Sequence, residues 1–207
     1  MLEVNQAYNM NCLEGLKLIE DNGIHCCVTS PPYWSLRDYG IVPTLWPAVI
    51  YAPMPGIQEI TVPEWTGCLG LEPTIEMFIG HIVLIFREVR RVLRKDGTLW
   101  LNFGDAYAKQ GIDGRGDPTI GKRNLGDMNP ICKKVPQSLK AKDLIGIPWR
   151  AAFALQADGW WLRSDIIWHK PNPMPESTMD RPTKAHEYIF LLSKSSRYYY
   201  NAEAVKE

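Results

Sequence analysis

The 207-residue sequence carries 23 Lys plus Arg against 23 Asp plus Glu, so its formal charge is zero and no global basicity advertises a nucleic-acid partner. With 45% hydrophobic residues it is long enough for one packed domain spanning 1–207, and its five cysteines lack a Cys-x-x-Cys pair or neighbouring histidines, suggesting neither disulfides nor a metal site. The N-terminus has no basic-then-apolar leader and no apolar run is long enough to cross a bilayer, so a cytoplasmic protein without membrane contact is expected.

Residues 3–9 read as a short strand, and 12–20 as a helix through Leu13, Leu16, Leu18 and Ile19, stopped by Asp21-Asn22-Gly23. Residues 24–29 then read as a buried strand, which assigns Cys26 and Cys27 to packing. Residues 41–70 are rich in Pro, Gly and aromatics with no sustained period, the pattern of an irregular insertion; its Trp46, Tyr51 and Trp65 suit either sequence recognition or packing on the scaffold. Ile75, Phe78, Ile79, Ile82, Ile85, Phe86, Val89, Val92 and Leu93 form one helical stripe, opened by Pro73-Thr74 and closed by Arg94-Lys95-Asp96-Gly97. Residues 98–103 are an apolar strand leading into Gly104-Asp105. From 109 to 142 eight basic residues face three acidic ones among five glycines, which makes this a flexible basic loop within a neutral chain. Pro148 opens a further helix that stops at Gly159, and 160–169 and 186–193 read as strands.

Alternation of strand and helix is the grammar of an α/β fold, an open and mostly parallel sheet covered by helices. Ligands of such sheets sit beyond the carboxyl ends of the strands. Two segments fall there, Val28-Thr29-Ser30-Pro31-Pro32-Tyr33 and Gly104-Asp105, so the two are expected to be neighbours.

The first segment fits one chemical problem. An exocyclic amine on a nucleobase is a weak nucleophile because its lone pair is delocalised into the ring, and hydrogen-bond acceptors beside it localise that pair. Ser30 and a backbone carbonyl of the Pro31-Pro32 pair supply acceptors without a charged base, and prolines carry no competing N–H. Tyr33, with Trp34 beside it, offers a face on which a base taken out of the duplex stacks, at about 1–3 kcal/mol per base.

These residues resemble the signature of the DNA amino-methyltransferases, most closely those acting on the 4-amino group of cytosine. The resemblance extends through Leu69-Gly-Leu-Glu-Pro-Thr74, Phe86-Arg-Glu-Val-Arg-Arg-Val-Leu93, Gly97-Thr-Leu-Trp-Leu-Asn102, Ile147-Pro-Trp-Arg150, Trp161-Leu-Arg-Ser-Asp-Ile-Ile-Trp168 and Arg181-Pro-Thr-Lys-Ala-His-Glu187, and leaves out little beyond the insertion. It implies a Rossmann-like sheet, S-adenosylmethionine as methyl donor, and double-stranded DNA with a flipped base as substrate, in a bacterial or phage-encoded modification enzyme. Ser30 would accept from the target amine, Pro31 offer its carbonyl and Tyr33 stack on the base. Independently of the resemblance, Asp105 at the neighbouring strand end is a candidate for orienting base or cofactor or for relaying the amine's proton, and Trp34 and Asn11 are candidate catalytic or cofactor-adjacent residues, Asn11 standing where relatives often have an acidic residue.

DNA contacts are assigned to Lys122, Arg123, Lys133 and Lys134 of the basic loop, and to Lys170 and Asn172 in the proline-rich segment after Trp168. Arg181, Thr183, His186 and Glu187 are candidates for a hydrogen-bonded loop beside the site. The family's Phe-x-Gly-x-Gly cofactor segment is absent. The expectation is therefore a fold incomplete at its C-terminal side, with central strands and the cofactor cradle supplied beyond Glu207 or by a complementing polypeptide. Methylation of the adenine 6-amino group and a truncated DNA-binding fragment without turnover are the alternatives. Ser-Pro-Pro-Tyr alone also suits an ordinary proline turn.

Overall fold

The computed structural model describes residues 2–108, 139–176 and 178–206. Lys122, Arg123, Lys133 and Lys134 lie outside the described residues. The chain runs α1 (Cys12–Lys17), β1 (Ile24–Thr29), β2 (Thr44–Trp46), β3 (Val49–Tyr51), β4 (Ile60–Val62), β5 (Trp65–Gly67), α2 (Ile75–Val92), β6 (Leu93–Phe103), α3 (Ile147–Ala157), β7 (Trp161–His169) and β8 (His186–Ser193).

Four strands form the central sheet in the order β1-β6-β8-β7. Among the described residues only β1 and β6 pair in parallel; β8 is antiparallel to both β6 and β7. The expected mostly parallel sheet is thus corrected. Residues 170–185, which join β7 to β8, carry four prolines, and the described residues among them form no helix, consistent with a direct return instead of a crossover.

The apolar stripe of α2 becomes Ile75–Val92, with the Thr74 side chain accepting from the Met77 N–H. This helix is buried on more than its stripe: Met77, Gly80, His81 and Val83 are covered as well. The cover is the insertion. Residues 44–67 form a nested pair of antiparallel two-stranded ladders, β2 with β5 and β3 with β4, that lies on α2. A Cβ on Gly80 would come within 3.0 Å of Val49 and 3.1 Å of Val62, so the missing side chain lets the ladder approach closely. The irregular insertion is therefore corrected to ordered structure, and Trp46 and Tyr51 pack on the scaffold.

Phe78, Ile82 and Phe86 of α2, Ile147 and Leu155 of α3, Leu99, Leu101 and Phe103 of β6 and Phe190 and Leu192 of β8 make the core between helices and sheet. Both edge strands are more exposed. Cys26, expected to be buried, is exposed, and Val28 is 79% exposed, because β1 pairs only with β6 among the described strands. The strand expected at 3–9 is a turn with Asn5 at φ 61°, held by Tyr8 and the Glu3 backbone.

Candidate active site

Ser30 leaves the carboxyl end of β1, and Pro31 and Pro32 bring Tyr33 back over the end of β6. The Ser30 Oγ lies 3.2 Å from Asn102 Oδ1 and 3.3 Å from the Tyr33 hydroxyl. Tyr33 in turn donates to Asn102 Oδ1 at 2.7 Å and reaches Glu187 Oε2 at 3.1 Å. Glu187, at the start of β8, pairs with Lys170, which follows β7. One end of all four sheet strands thus converges on the Ser30 turn.

The direction of these bonds decides what Ser30 can do. Asn102 Nδ2 donates to the Tyr188 carbonyl at 3.1 Å, which orients the amide with its oxygen toward the turn. An amide oxygen only accepts, so the Ser30 hydroxyl hydrogen points inward to Asn102 or to Tyr33. Ser30 is exposed, so the outward side of its oxygen presents lone pairs to a donor arriving from solvent.

Charge supports the same arrangement. Burial, with the Glu187 charge adding to it and hydrogen bonds from Ser30 and Gly104 opposing, holds the Tyr33 phenol above its ordinary value, so it stays a donor. For Glu187 burial works upward, but the hydrogen bond and charge of Lys170, with hydrogen bonds from Tyr33 and Asn102, outweigh it and hold the carboxyl below its usual value.

Tyr33 is half-buried, and its ring lies against Gly104, where a Cβ would fall 2.5 Å from ring carbon Cε2. The two strand-end segments are therefore neighbours. Asp105 spends Oδ1 on the backbone N–H groups of Ala106, Gly146 and Ile147 at 2.9, 3.0 and 3.0 Å. That makes it the cap of α3, whose own N-cap residue, Gly146, has no side chain to serve. Its Oδ2 faces Lys184 at 4.0 Å, and burial, partly offset by Asp105 and Glu187, holds that lysine below its ordinary value.

Other candidate residues have structural occupations. Trp34 is 3% exposed with its indole N–H on the Glu72 carbonyl at 3.0 Å, so it offers no free stacking face; this corrects its place beside Tyr33. Asn11 caps α1 through the Leu13 N–H and donates to Thr44 Oγ1. Lys170 is engaged with Glu187 and sits over the Trp168 ring, while Asn172 is exposed. Arg181 covers the Tyr107 ring and pairs with Glu176.

Asn102 was missed as a site residue, although a signal was present: a polar amide inside the apolar run Thr98-Leu-Trp-Leu-Asn-Phe must find partners when buried. Gly104 was marked, with Asp105, only by its place at a strand end, and its contact with the Tyr33 ring comes from the fold. Among the described residues no cluster of His, Cys, Asp and Glu could hold a metal ion, and no helix is long and apolar enough to cross a membrane.

A family model described as DNA methylase matches residues 24–207. The chain is 46% identical over 208 residues to the type II methyltransferase M.Cfr9I of Citrobacter freundii, covering 100% of the chain and 60% of that protein. It is also 46% identical over 194 residues to the type II methyltransferase M.SmaI of Serratia marcescens, covering 94% and 57%. The chain therefore spans about three-fifths of the length of these curated relatives. Among solved structures, TTHA0409 of Thermus thermophilus, complexed with S-adenosyl-L-methionine, superposes with TM-score 0.53 at 18% identity, over 94% of this chain and 55% of that one. The cytosine-N4-specific PvuII DNA methyltransferase gives TM-score 0.53 at 15% identity, over 92% and 49%. At these identities the two likenesses establish a shared fold.

Proposed function

The chain belongs to the DNA methylase family, and we propose that it supplies the amine-presenting side of a site-specific DNA methyltransferase acting on the 4-amino group of cytosine in double-stranded DNA. Its sheet is the Rossmann-like sheet of S-adenosylmethionine-dependent methylases. The observation that carries the proposal is the inward hydroxyl of Ser30, donated to Asn102 or Tyr33, which leaves an exposed acceptor at a strand end.

In this reading a base flipped out of the duplex stacks on Tyr33, and its amine donates to Ser30 Oγ and to the Pro31 carbonyl. Two acceptors in that position draw the amine lone pair out of conjugation. The amine loses a proton only after it has gained its fourth bond, so no strong base is needed. Tyr33 is held by Asn102 and Glu187, so the stacking surface is fixed before the base arrives. The basic stretch 109–142, with Lys122, Arg123, Lys133 and Lys134, supplies phosphate contacts, and exposed Asn172 extends that surface.

S-Adenosylmethionine, which supplies an electrophilic methyl group, is the donor in this proposal, but the described residues do not build its cradle. The glycine at the end of β6 is filled by the Tyr33 ring, and one oxygen of the neighbouring Asp105 is spent on three backbone N–H groups. The cradle belongs to a further segment or to a complementing polypeptide that completes the sheet beside β1.

Digestion and mass spectrometry of DNA methylated by the active enzyme tests the assignment. It should give 4-methylcytosine, lost on Ser30→Ala. Recovery of 6-methyladenine would replace cytosine by adenine, and retained activity in both Ser30→Ala and Tyr33→Ala would reject the site.

A further inference from the structure

A second polar cluster lies wholly inside the protein, on the far side of the Ser30 turn. Glu72 and His81 are both 0% exposed, with His81 Nδ1 3.0 Å from Glu72 Oε1. The two side chains share a buried hydrogen bond. The His81 ring stacks on Trp46 of β2 at 4.6 Å between centroids and on Trp65 of β5 at 5.7 Å. These two tryptophans are partners across the ladder. His81 of α2 is therefore a point where the helix meets the outer ladder of the insertion.

From Glu72 the connection continues into the turn. Glu72 Oε2 accepts from the Gly70 N–H at 2.9 Å, and the Glu72 carbonyl accepts from the Trp34 indole at 3.0 Å. The Gly70 carbonyl accepts from the Ser35 N–H at 2.7 Å. Gly70 stands at φ +90°, where a side chain is strained, and a Cβ there would lie 3.0 Å from the Tyr33 carbonyl and 3.4 Å from Pro32 Cβ. Ser35, two residues past Tyr33, is itself held at φ 59°. A non-glycine residue keeps that conformation only where its surroundings impose it. The residues after Ser30-Pro31-Pro32-Tyr33 are thus clamped against 70–72, and 70–72 is clamped to α2 by the buried pair.

Burying a carboxylate is costly even when it is paired, and apolar replacements of buried pairs are often neutral or stabilising. Stability alone is a weak reason for this pair. We propose that Glu72 and His81 are positioning residues that set where the Pro31–Tyr33 backbone and the Tyr33 ring sit, making the insertion part of the scaffold of the active turn. The catalytic part of this inference rests on the function proposed above.

The test uses Glu72→Gln combined with His81→Phe. Gln keeps an acceptor for the Gly70 N–H, and Phe keeps a ring against Trp46 and Trp65, while the tether between residues 72 and 81 is lost. Ring signals of Tyr33 in the tyrosine-labelled 207-residue chain, assigned by comparison with Tyr33→Phe, are recorded together with the melting temperature. The expected result is a Tm within about 5 °C of the parent and Tyr33 signals that shift and broaden, with those of Tyr199 and Tyr200 unmoved. In the active enzyme kcat falls by about tenfold or more with KM for DNA within about twofold, since a turn misplaced by a fraction of an ångström loses rate before affinity. Unmoved Tyr33 signals in the folded double variant would overturn the proposal. Where the double variant does not fold, Glu72→Gln alone is judged by the same signals. The tyrosine readout requires no turnover, so failure of this proposal and failure of the methyltransferase reading give different results.

Discussion

Gly104→Ala isolates the contact between the two strand ends. An added Cβ would stand 2.5 Å from Tyr33 Cε2 and 2.8 Å from Cδ2. Carbon atoms settle at about 3.5–4.0 Å, so the ring must retreat by about 1 Å or more. It cannot do so freely, because its hydroxyl is bound to Asn102 at 2.7 Å and to Glu187 at 3.1 Å and these bonds stretch as it moves. Gly104 has no positive φ, so alanine adds no backbone strain and the ring displacement is the effect measured. Overpacking of this kind costs about 1–3 kcal/mol of stability. A 1 Å error in placement costs on the order of a hundredfold in rate. Transfer of labelled methyl groups to a DNA duplex, measured as single turnovers with saturating enzyme, should show that loss. The same substitution placed on Tyr33→Ala should add little further loss, since the clash then has no target. Single-turnover rates for Gly104→Ala within about threefold of the parent would refute the idea that the position of the Tyr33 ring governs the reaction.

Asp105→Ala should destabilise the fold by about 1–2 kcal/mol through loss of the α3 cap, while Asp105→Asn keeps an acceptor and loses less, as read by thermal melts. If Asp105→Asn instead abolishes methylation with no change in Tm, the residue acts on substrate. The stabilisation Glu187 contributes, because its carboxyl is held below the ordinary 4.5, is complete above about that pH and is lost as pH falls toward its lower folded value. Lys170→Met should move the Glu187 titration upward in a carboxyl-carbon NMR experiment, and an unmoved titration would show that Lys170 does not set it. The isolated chain should bind S-adenosylmethionine weakly or not at all by calorimetry and methylate no DNA, because β1 pairs only with β6 among the described strands and leaves Val28 exposed. Robust methylation by the 207-residue chain would sink that claim.

Elements with a long pattern were legible in the sequence. The stripe from Ile75 to Val92 became α2 because burial on one side imposes its period over many residues, while the apolar run at 24–29 became β1 although its residues are only partly covered. The ladders at 44–67 escaped because each strand has three residues, too few to show alternation, and is held by packing on α2. Strand direction was hidden from local pattern, although Pro171, Pro173, Pro175 and Pro182 already argued against a crossover helix before β8. Residues 94–97, read as a helix stop, belong to β6 and bulge opposite His25 where the register with β1 shifts.

The same limit applies to the site. Ser30, Pro31 and Tyr33 fall within one four-residue stretch, so their joint chemistry can be read from the chain, but a serine hydroxyl is donor and acceptor alike. Which role it takes is decided by Asn102, 72 positions along, and by the Tyr33 hydroxyl that shares the Asn102 oxygen. Tyr33 in turn depends on Glu187, 154 positions away. Replacing Asn102 by Asp would keep the acceptor but bring a negative charge close to Glu187, while Asn102→Leu would release the Ser30 hydrogen to turn outward and compete with the incoming amine. An acceptor site at Ser30 therefore exists only because β6 and β8 bring these two side chains to the end of β1, and Asn102→Leu should impair transfer even with Ser30 intact.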